Sequence, residues 1–279
     1  MESRKETRAR KIYAIVAPDC LGIRWLGVIM KIANDIYLVG DGAIRLSNPM
    51  DCHVYLVDGG QKKALVDAGM GIETELILDN IRNDGFDPAE VDYLIVTHCH
   101  SDHAGGCKYL REELSCRVMA PEPEAKFIEQ GTEQDLGLDV TKYDGSCPKD
   151  YVHPHSKVDH KLKDGEIIDL GRYQLTTIQV SGHSYGPAVF LMKGEGRTAA
   201  FTDDVVFVGG TIGLGNWRGS SLENYRNDIG KLAGLSVEEM FPGHFLWTLK
   251  GGQEHIDKAI EALKLSFPPP NFQHLHPSF

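Results

Sequence analysis

The sequence lacks several patterns that define common classes of protein. None of its six cysteines pairs with another in a Cys-x-x-Cys spacing, which argues against zinc-knuckle and thioredoxin-like motifs. Apart from residues 4–11, no run is rich in Lys and Arg, and the net charge is −11, so a protein that grips phosphate backbones is not expected. The apolar run 12–17 is too short for a signal peptide or a membrane span. We therefore expect a cytoplasmic, reduced protein with neither a nucleic acid nor a membrane as partner.

The chain does contain a dense cluster of residue types that bind metals: Thr97-His98-Cys99-His100-Ser101-Asp102-His103-Ala104-Gly105-Gly106. The β-branched and aromatic run 93–97 predicts a buried strand, and the apolar residues after the cluster have helical spacing. The cluster therefore lies in a strand-to-helix loop, where rigid neighbours can hold converging side chains. His98 and His100 can point the same way from an extended segment, while Asp102 and His103 turn with the chain. Because imidazole and carboxylate are zinc-type ligands, the loop predicts a metal site.

The spacing His-x-His-x-Asp-His resembles the signature of the metallo-β-lactamase-fold metallohydrolases, in particular their hydroxyacylglutathione hydrolase and lactonase-like branch. That superfamily also carries, later in the chain, a His after Gly, an Asp in a Gly-Asp-x-x-Phe-like motif and a His in Pro-Gly-His. The sequence supplies these motifs in the same order: Gly182-His183, Asp204 within 203–207, and Pro242-Gly243-His244. The resemblance covers most of the chain, from about residue 36 to residue 244.

Strands dominate each half of the chain and helices follow them, which by periodicity alone indicates an α+β or α/β protein. The resemblance implies a four-layer αβ/βα sandwich, in which two sheets pack face to face with helices outside. We expect one metallo-β-lactamase-like domain over residues 1–279, with residues 1–10 flexible. Residues 131–160 are expected to form a long loop or lid that carries His153, His155 and His160 on its surface.

The resemblance also implies a centre of two divalent metal ions, with zinc as the first expectation and iron or manganese as alternatives. The implied ligands form two sets of three and one bridge: His98, His100 and His183 for the first ion, Asp102, His103 and His244 for the second, and Asp204 between them. A hydroxide that bridges the ions would attack a carbonyl, with Asp102 and Asp204 as the catalytic carboxylates. Asp67, in an Asp-x-Gly position, would hold a metal-bound His in place, although a simple turn carboxylate is the alternative.

The sequence leaves the roles of two residues of the site open. Asp203 stands where the superfamily usually has Gly, so it either tunes the metals or binds a residue of a lid. Cys99 points away from its ligand neighbours if the segment is extended, and we expect it to serve packing rather than chemistry.

Comparison with branches of the superfamily narrows the class of substrate that we expect. β-Lactamases of this fold use a Cys ligand or lack the bridging Asp, and hydroxyacylglutathione hydrolases add a helical domain for which the 35 residues after His244 are too few. Acyl-homoserine lactonases have a Tyr where this chain has Phe207, and RNA-processing relatives bring a large insertion or a basic arm. We therefore expect a hydrolase of an ester, thioester or lactone with a small-molecule substrate; a homodimer is left open.

Three other functions compete with this prediction. A persulfide dioxygenase of the same fold would use a single iron held by two His and one Asp, and a phosphodiesterase is less favoured. A serine hydrolase would use Ser184, because 182–186 matches Gly-x-Ser-x-Gly and Asp203 or Asp204 and then His244 follow in the order of a triad. That motif needs a long helix after the Ser, whereas the sequence predicts a hairpin there.

Overall fold

The computed structural model describes residues 29–272, so the expectation of a flexible segment 1–10 lies outside the described residues. The first half of the described chain forms a seven-stranded sheet in sequence order: β1 (Lys31–Ala33), β2 (Ile36–Gly40), β3 (Val54–Asp58), β4 (Lys63–Val66), β5 (Val91–Ile95), β6 (Arg117–Pro121) and β7 (His160–Leu162). Neighbours are antiparallel from β1 to β4 and parallel from β4 to β7. The loops after β4 and β5 therefore leave the sheet at the same edge.

The second half forms a five-stranded sheet in the order β12-β11-β10-β9-β8: β8 (Ile167–Asp169), β9 (Gln174–Gln179), β10 (Ala188–Gly194), β11 (Arg197–Asp203) and β12 (Glu239–Pro242). Only the β11–β12 pair of this sheet is parallel, and it sets Asp203 opposite Pro242. The motifs that contain Asp204 and His244 therefore leave the ends of adjacent strands side by side.

The helices lie outside the two sheets: α1 (Glu75–Asn83), α2 (Ser101–Ala104), α3 (Cys107–Leu114), α4 (Glu122–Gln130), α5 (Leu138–Asp144), α6 (Leu222–Asp228) and α7 (Gly252–Lys264). Short 3-10 helices span Pro88–Glu90 and Ile229–Leu232. None of the helices within residues 29–272 has the length and apolar composition that a membrane crossing requires.

Strand periodicity explains how the layers are held together. In β3, Val54 and Leu56 face one apolar core and Tyr55 and Val57 face another, because successive side chains point to opposite faces. A strand that is apolar on both faces must be covered on both sides. Each fully buried large apolar side chain contributes about 1.5–3 kcal/mol.

Three apolar cores separate four layers. One core, with Phe190 and Phe201, lies between the sheets; a second, with Ile81 and Leu110, lies between the first sheet and its helices. The third, which includes Ile256, lies between the second sheet and α6 and α7. The predicted αβ/βα sandwich is thus confirmed.

The segment 131–160 is more ordered than its polar composition indicates. It contains α5, and its last part alternates between buried and exposed residues. His155 is exposed as predicted, and His160 is half-buried beside Glu166. The prediction was wrong for His153, which is 6% exposed and whose Nδ1 lies 3.0 Å from the hydroxyl of Ser101, because the segment packs against the back of the metal loop.

Candidate metal centre

Three imidazole nitrogens meet at one buried point. The Nε2 of His98 lies 2.9 Å from the Nδ1 of His100, and the Nε2 of His183 lies 3.1 and 3.0 Å from these two atoms. In a tetrahedral zinc site with Zn–N bonds of 2.0–2.1 Å, neighbouring ligand nitrogens are about 3.3 Å apart. We call this cluster the first triad. Its geometry fits three ligands of one cation.

The partners of the outer ring nitrogens leave the inner nitrogens free to bind. The Nδ1 of His98 lies 2.9 Å from Asp203 Oδ2, and the Nδ1 of His183 donates a 2.5 Å hydrogen bond to the carbonyl of Gly213. A proton held on Nδ1 leaves the lone pair of Nε2 pointing into the triad. His100 is reversed: its Nδ1 faces the triad, and its buried Nε2 has no hydrogen-bond partner among residues 29–272.

The second predicted set of ligands also converges. The Nε2 of His244 lies 3.1 Å from Asp102 Oδ2 and 3.3 Å from the Nε2 of His103, which is 3.4 Å from the same oxygen. These three residues, the second triad, combine two imidazoles with one carboxylate. The spacing again matches the edges of a metal coordination polyhedron.

Asp204 lies between the two triads. Its Oδ2 is 3.5 Å from the Nε2 of His183 in the first triad, and 3.6 Å from the Nε2 atoms of both His103 and His244 in the second. Its Oδ1 is buried and has no hydrogen-bond partner in the described part of the chain. The structure therefore brings all seven predicted ligands together and sets Asp204 where the bridge is expected; metal ligation itself stays a prediction.

The electrostatics of the first triad favour neutral imidazoles. Burial, reinforced by the neighbouring imidazoles, lowers the pKa of His98 and of His100 well below the usual value of 6.5. A neutral imidazole is the form that ligates a metal, so the protein itself prepares these side chains for a cation.

The second triad has the opposite character. Burial acts to lower the pKa of His103, but the carboxylates of Asp102, Asp204 and Asp203 raise it well above 6.5. In the metal-free protein, protons on these imidazoles balance the negative charge of the nearby carboxylates. A divalent cation would supply that positive charge instead. The donor set therefore fits a metal centre.

Asp67 lies behind the second triad. Its Oδ1 accepts 2.8 Å from the Thr97 N–H and 2.9 Å from the Thr97 hydroxyl, and its Oδ2 is 3.1 Å from the Nδ1 of His103. Burial raises the pKa of Asp67 and of Asp203 to about 6. Asp67 thus holds His103 from behind, as the resemblance implies, rather than serving only a turn.

The glycine before each late histidine is required by space. A Cβ on Gly243 would lie 2.5 Å from Asp204 Oδ1, and a Cβ on Gly182 would lie 2.4 Å from the ring of Tyr225. Gly182 also has φ +142°, a conformation that side chains rarely adopt. The Gly-His pairs therefore reflect close packing around the centre.

The geometry of Ser184 does not support a serine nucleophile. Its side chain is fully buried and its hydroxyl donates 2.7 Å to Glu124 Oε1 instead of contacting a histidine. The chain continues into strand β10, not into a helix. The competing interpretation of 182–186 as a nucleophile elbow is therefore wrong.

Glu124 is a structural residue of the site that the sequence did not reveal. Besides Ser184 it accepts the N–H of Gly186 at 2.6 Å and the N–H of Cys99 at 3.1 Å, so it ties the metal loop to the loop of His183. Burial, with Glu124 nearby, raises the pKa of the Cys99 thiol well above 9, consistent with a packing role. Nothing in the helical pattern of α4 distinguishes Glu124 from an exposed glutamate.

Aromatic side chains flank both triads. The ring of Trp217 lies edge-on to His100 at 5.3 Å, and its Nε1 donates 2.9 Å to the carbonyl of His183. Phe245 follows His244 in the second triad, and their ring centroids lie 6.2 Å apart. The centre therefore has an apolar rim.

Comparisons with known proteins agree with this geometry. A family model described as "Metallo-beta-lactamase superfamily" matches residues 47–244. A "probable metallo-hydrolase" from Methanocaldococcus jannaschii is 25% identical over 195 residues, covering 66% of this chain and 84% of the relative. The "acyl-coenzyme A thioesterase MBLAC2" of Gallus gallus is 27% identical over 212 residues, covering 69% of this chain and 72% of the relative.

Solved structures show the same fold. BJP-1, a subclass B3 metallo-beta-lactamase of Bradyrhizobium japonicum, superposes with a TM-score of 0.59 at 26% identity, covering 75% of each chain. A metallo-beta-lactamase from Cronobacter sakazakii superposes with a TM-score of 0.61 at 24% identity, covering 76% of this chain and 78% of its own. Because the family model spans well over half of the sequence, the chain belongs to the metallo-beta-lactamase superfamily and is a metal-binding hydrolase of that superfamily.

Proposed function

We propose that the protein is a dinuclear metal hydrolase that cleaves the carbonyl group of an ester, thioester or lactone in a small-molecule substrate. One observation carries the proposal: Asp204 Oδ2 lies within 3.5 to 3.6 Å of ligand nitrogens in both triads. Such an arrangement supports two cations that share one carboxylate.

In this proposal the first triad would hold one ion, the second triad would hold the other, and Asp204 would be the carboxylate available to both. Divalent ions, with zinc first and iron or manganese as alternatives, would supply Lewis acidity and hydroxide at neutral pH. The buried imidazoles of the first triad keep bulk water away from one side of the site. Asp102, whose side chain is 32% exposed, and Asp204 would orient the attacking water through hydrogen bonds to their carboxylate oxygens.

The rim supports a substrate with an apolar acyl group. Trp217, 5.3 Å from the ring of His100, and Phe245, 6.2 Å from the ring of His244, place apolar surface beside both triads, which suits an acyl chain better than a charged phosphodiester. Phe207, at the position of the lactonase tyrosine, is 1% exposed and packs against Phe245, so it does not offer a substitute for that phenol. Thioesters head our list because the relative MBLAC2 is named an acyl-coenzyme A thioesterase.

The test is an activity screen of the zinc-loaded protein over thioesters, lactones, aryl esters, β-lactams and phosphodiesters, together with elemental analysis. We expect close to two metal ions per chain and turnover of at least one carbonyl substrate. One iron per chain, with oxygen consumed on addition of glutathione persulfide, would instead support the dioxygenase.

A matched pair of variants assigns the turnover to the metal centre. His100→Ala removes a predicted ligand and should abolish hydrolysis, whereas Ser184→Ala removes only a hydrogen bond to Glu124 and should keep most of it. Activity that survives His100→Ala but is lost in Ser184→Ala would refute the proposed mechanism.

A further inference from the structure

Asp203 lies behind the metal centre and reaches both triads. Its Oδ2 is 2.9 Å from the Nδ1 of His98, and its Oδ1 is 3.2 Å from the Nδ1 of His103. The residue is 2% exposed. A single carboxylate therefore lies close to the outer nitrogen of one histidine in each triad. Among the described residues neither of its oxygens has a partner with hydrogen-bond geometry, so the contact is electrostatic.

The contacts of Asp67 are different. Asp67 Oδ2 faces the Nδ1 of His103, while its Oδ1 accepts from the N–H and the hydroxyl of Thr97; the same hydroxyl also lies 3.1 Å from Oδ2. Asp67 thus contacts a ligand nitrogen of the second triad alone. Asp203 and Asp67 form a natural pair for comparison, since both are buried aspartates that face the same nitrogen of His103.

The backbone does not explain why position 203 is an aspartate. Asp203 has φ +51°, in the left-handed region that glycine adopts more easily, and it lies where the pairing of β11 with β12 shifts register. Its carbonyl accepts the Gly243 N–H at 3.1 Å, a bond that any residue could make. Because glycine would serve the turn at lower conformational cost, the side chain is what the position requires.

We propose that Asp203 is a positioning residue shared by both metal sites. Its negative charge, close to the Nδ1 of both His98 and His103, favours a proton on each Nδ1, so that the Nε2 lone pair of each ring is left to face its own ion. Outer partners of this kind typically change metal affinity 10–100-fold when removed. The inference rests on the two-metal assignment proposed above. It predicts that loss of one carboxylate weakens both sites.

Two variants that each keep one metal site allow the effect of Asp203 on each site to be measured separately. His244→Ala disables the second site and His183→Ala disables the first, so each remaining site is titrated alone. Metal-free full-length protein is titrated with Zn²⁺ in competition with a chromophoric chelator. Asp203→Gly should weaken zinc binding about 10–100-fold in both backgrounds. The control Asp67→Asn should weaken it only in the His183→Ala background, where the second site remains.

The outcomes are distinct. Fewer than two zinc ions bound by the wild-type chain would overturn the two-metal assignment and this inference together. Two ions bound normally by wild type, with Asp203→Gly weakening one background or neither, would overturn this inference alone. Circular dichroism of the metal-free variant checks the fold. Should Asp203→Gly not fold, Asp203→Asn decides. It removes the charge that faces both rings, so it must weaken zinc binding in both backgrounds, and full affinity in either one overturns the inference.

Discussion

The two triads use similar residues in different surroundings. The first triad consists of three buried imidazoles, and burial holds two of them in the neutral form. In the second triad the side chains of Asp102 and His244 are 32% and 30% exposed, and carboxylates surround His103. A buried set of neutral ligands favours retention of a cation, whereas a half-open set allows exchange with solvent and substrate. The difference therefore suggests an anchoring site beside a working site.

The largest effects should come from removing a single ligand, either from the first triad or from the second. We expect His98→Ala to lower kcat/KM about 10³-fold, or about 4 kcal/mol of transition-state stabilisation, because the retained site is lost. His244→Ala should cost less, about 10²-fold, because the first ion stays bound. Steady-state kinetics with the best substrate from the screen, and bound zinc by elemental analysis, measure both variants. A larger loss in His244→Ala would reverse the comparison.

A smaller effect concerns the tie between the metal loop and the loop of His183. Glu124→Gln places an amide NH₂ against donors that a carboxylate satisfied, and should reduce the free energy of unfolding by about 2–3 kcal/mol. Urea unfolding of the metal-free protein measures the change. Glu122→Gln, at an exposed position of the same helix, is the control and should change stability little. Equal losses in the two variants would show that Glu124 does not hold the first triad in place.

The smallest effect is a pH dependence of the free energy of unfolding, which originates at His153 behind the metal loop. Burial, with a minor contribution from His155, lowers the pKa of His153 to about 3, below the unfolded value of 6.5. The unfolded chain therefore binds a proton that the folded chain excludes. For this group alone, the free energy of unfolding of the metal-free protein should fall by about 1 kcal/mol as the pH drops from 6.5 to 5.5. His153→Asn should reduce that slope in urea unfolding, whereas replacement of the exposed His155 by Asn should not.

Much of the fold and of the candidate site could be predicted from local patterns. The cluster 98–103 carries its ligand types within six residues, directly after a recognisable strand. The late motifs resemble those of the superfamily in type and order, so the candidate ligands, including Asp204, could be named. Periodicity alone indicated only a mixed α and β protein, and the resemblance was needed to expect two packed sheets.

Other features depend on pairings between residues far apart in the chain. Asp203 reaches both triads because β11 ends beside β12, and Glu124 becomes a buried acceptor because α4 packs under two loops. His153 was expected on the surface because its neighbours are polar, but its burial follows from contact with Ser101, 52 residues earlier. Local composition carries no signal of such contacts.

The sequence by itself determined the chemistry of this protein: which side chains can bind a metal, and in what order they follow the strands, because ligand type and strand periodicity are local properties. Only the tertiary structure decided which triad is buried, which carboxylate lies between the two, and which aspartates stand behind them. Burial and charge depend on what packs against a residue, and the two sheets bring those neighbours from opposite halves of the chain.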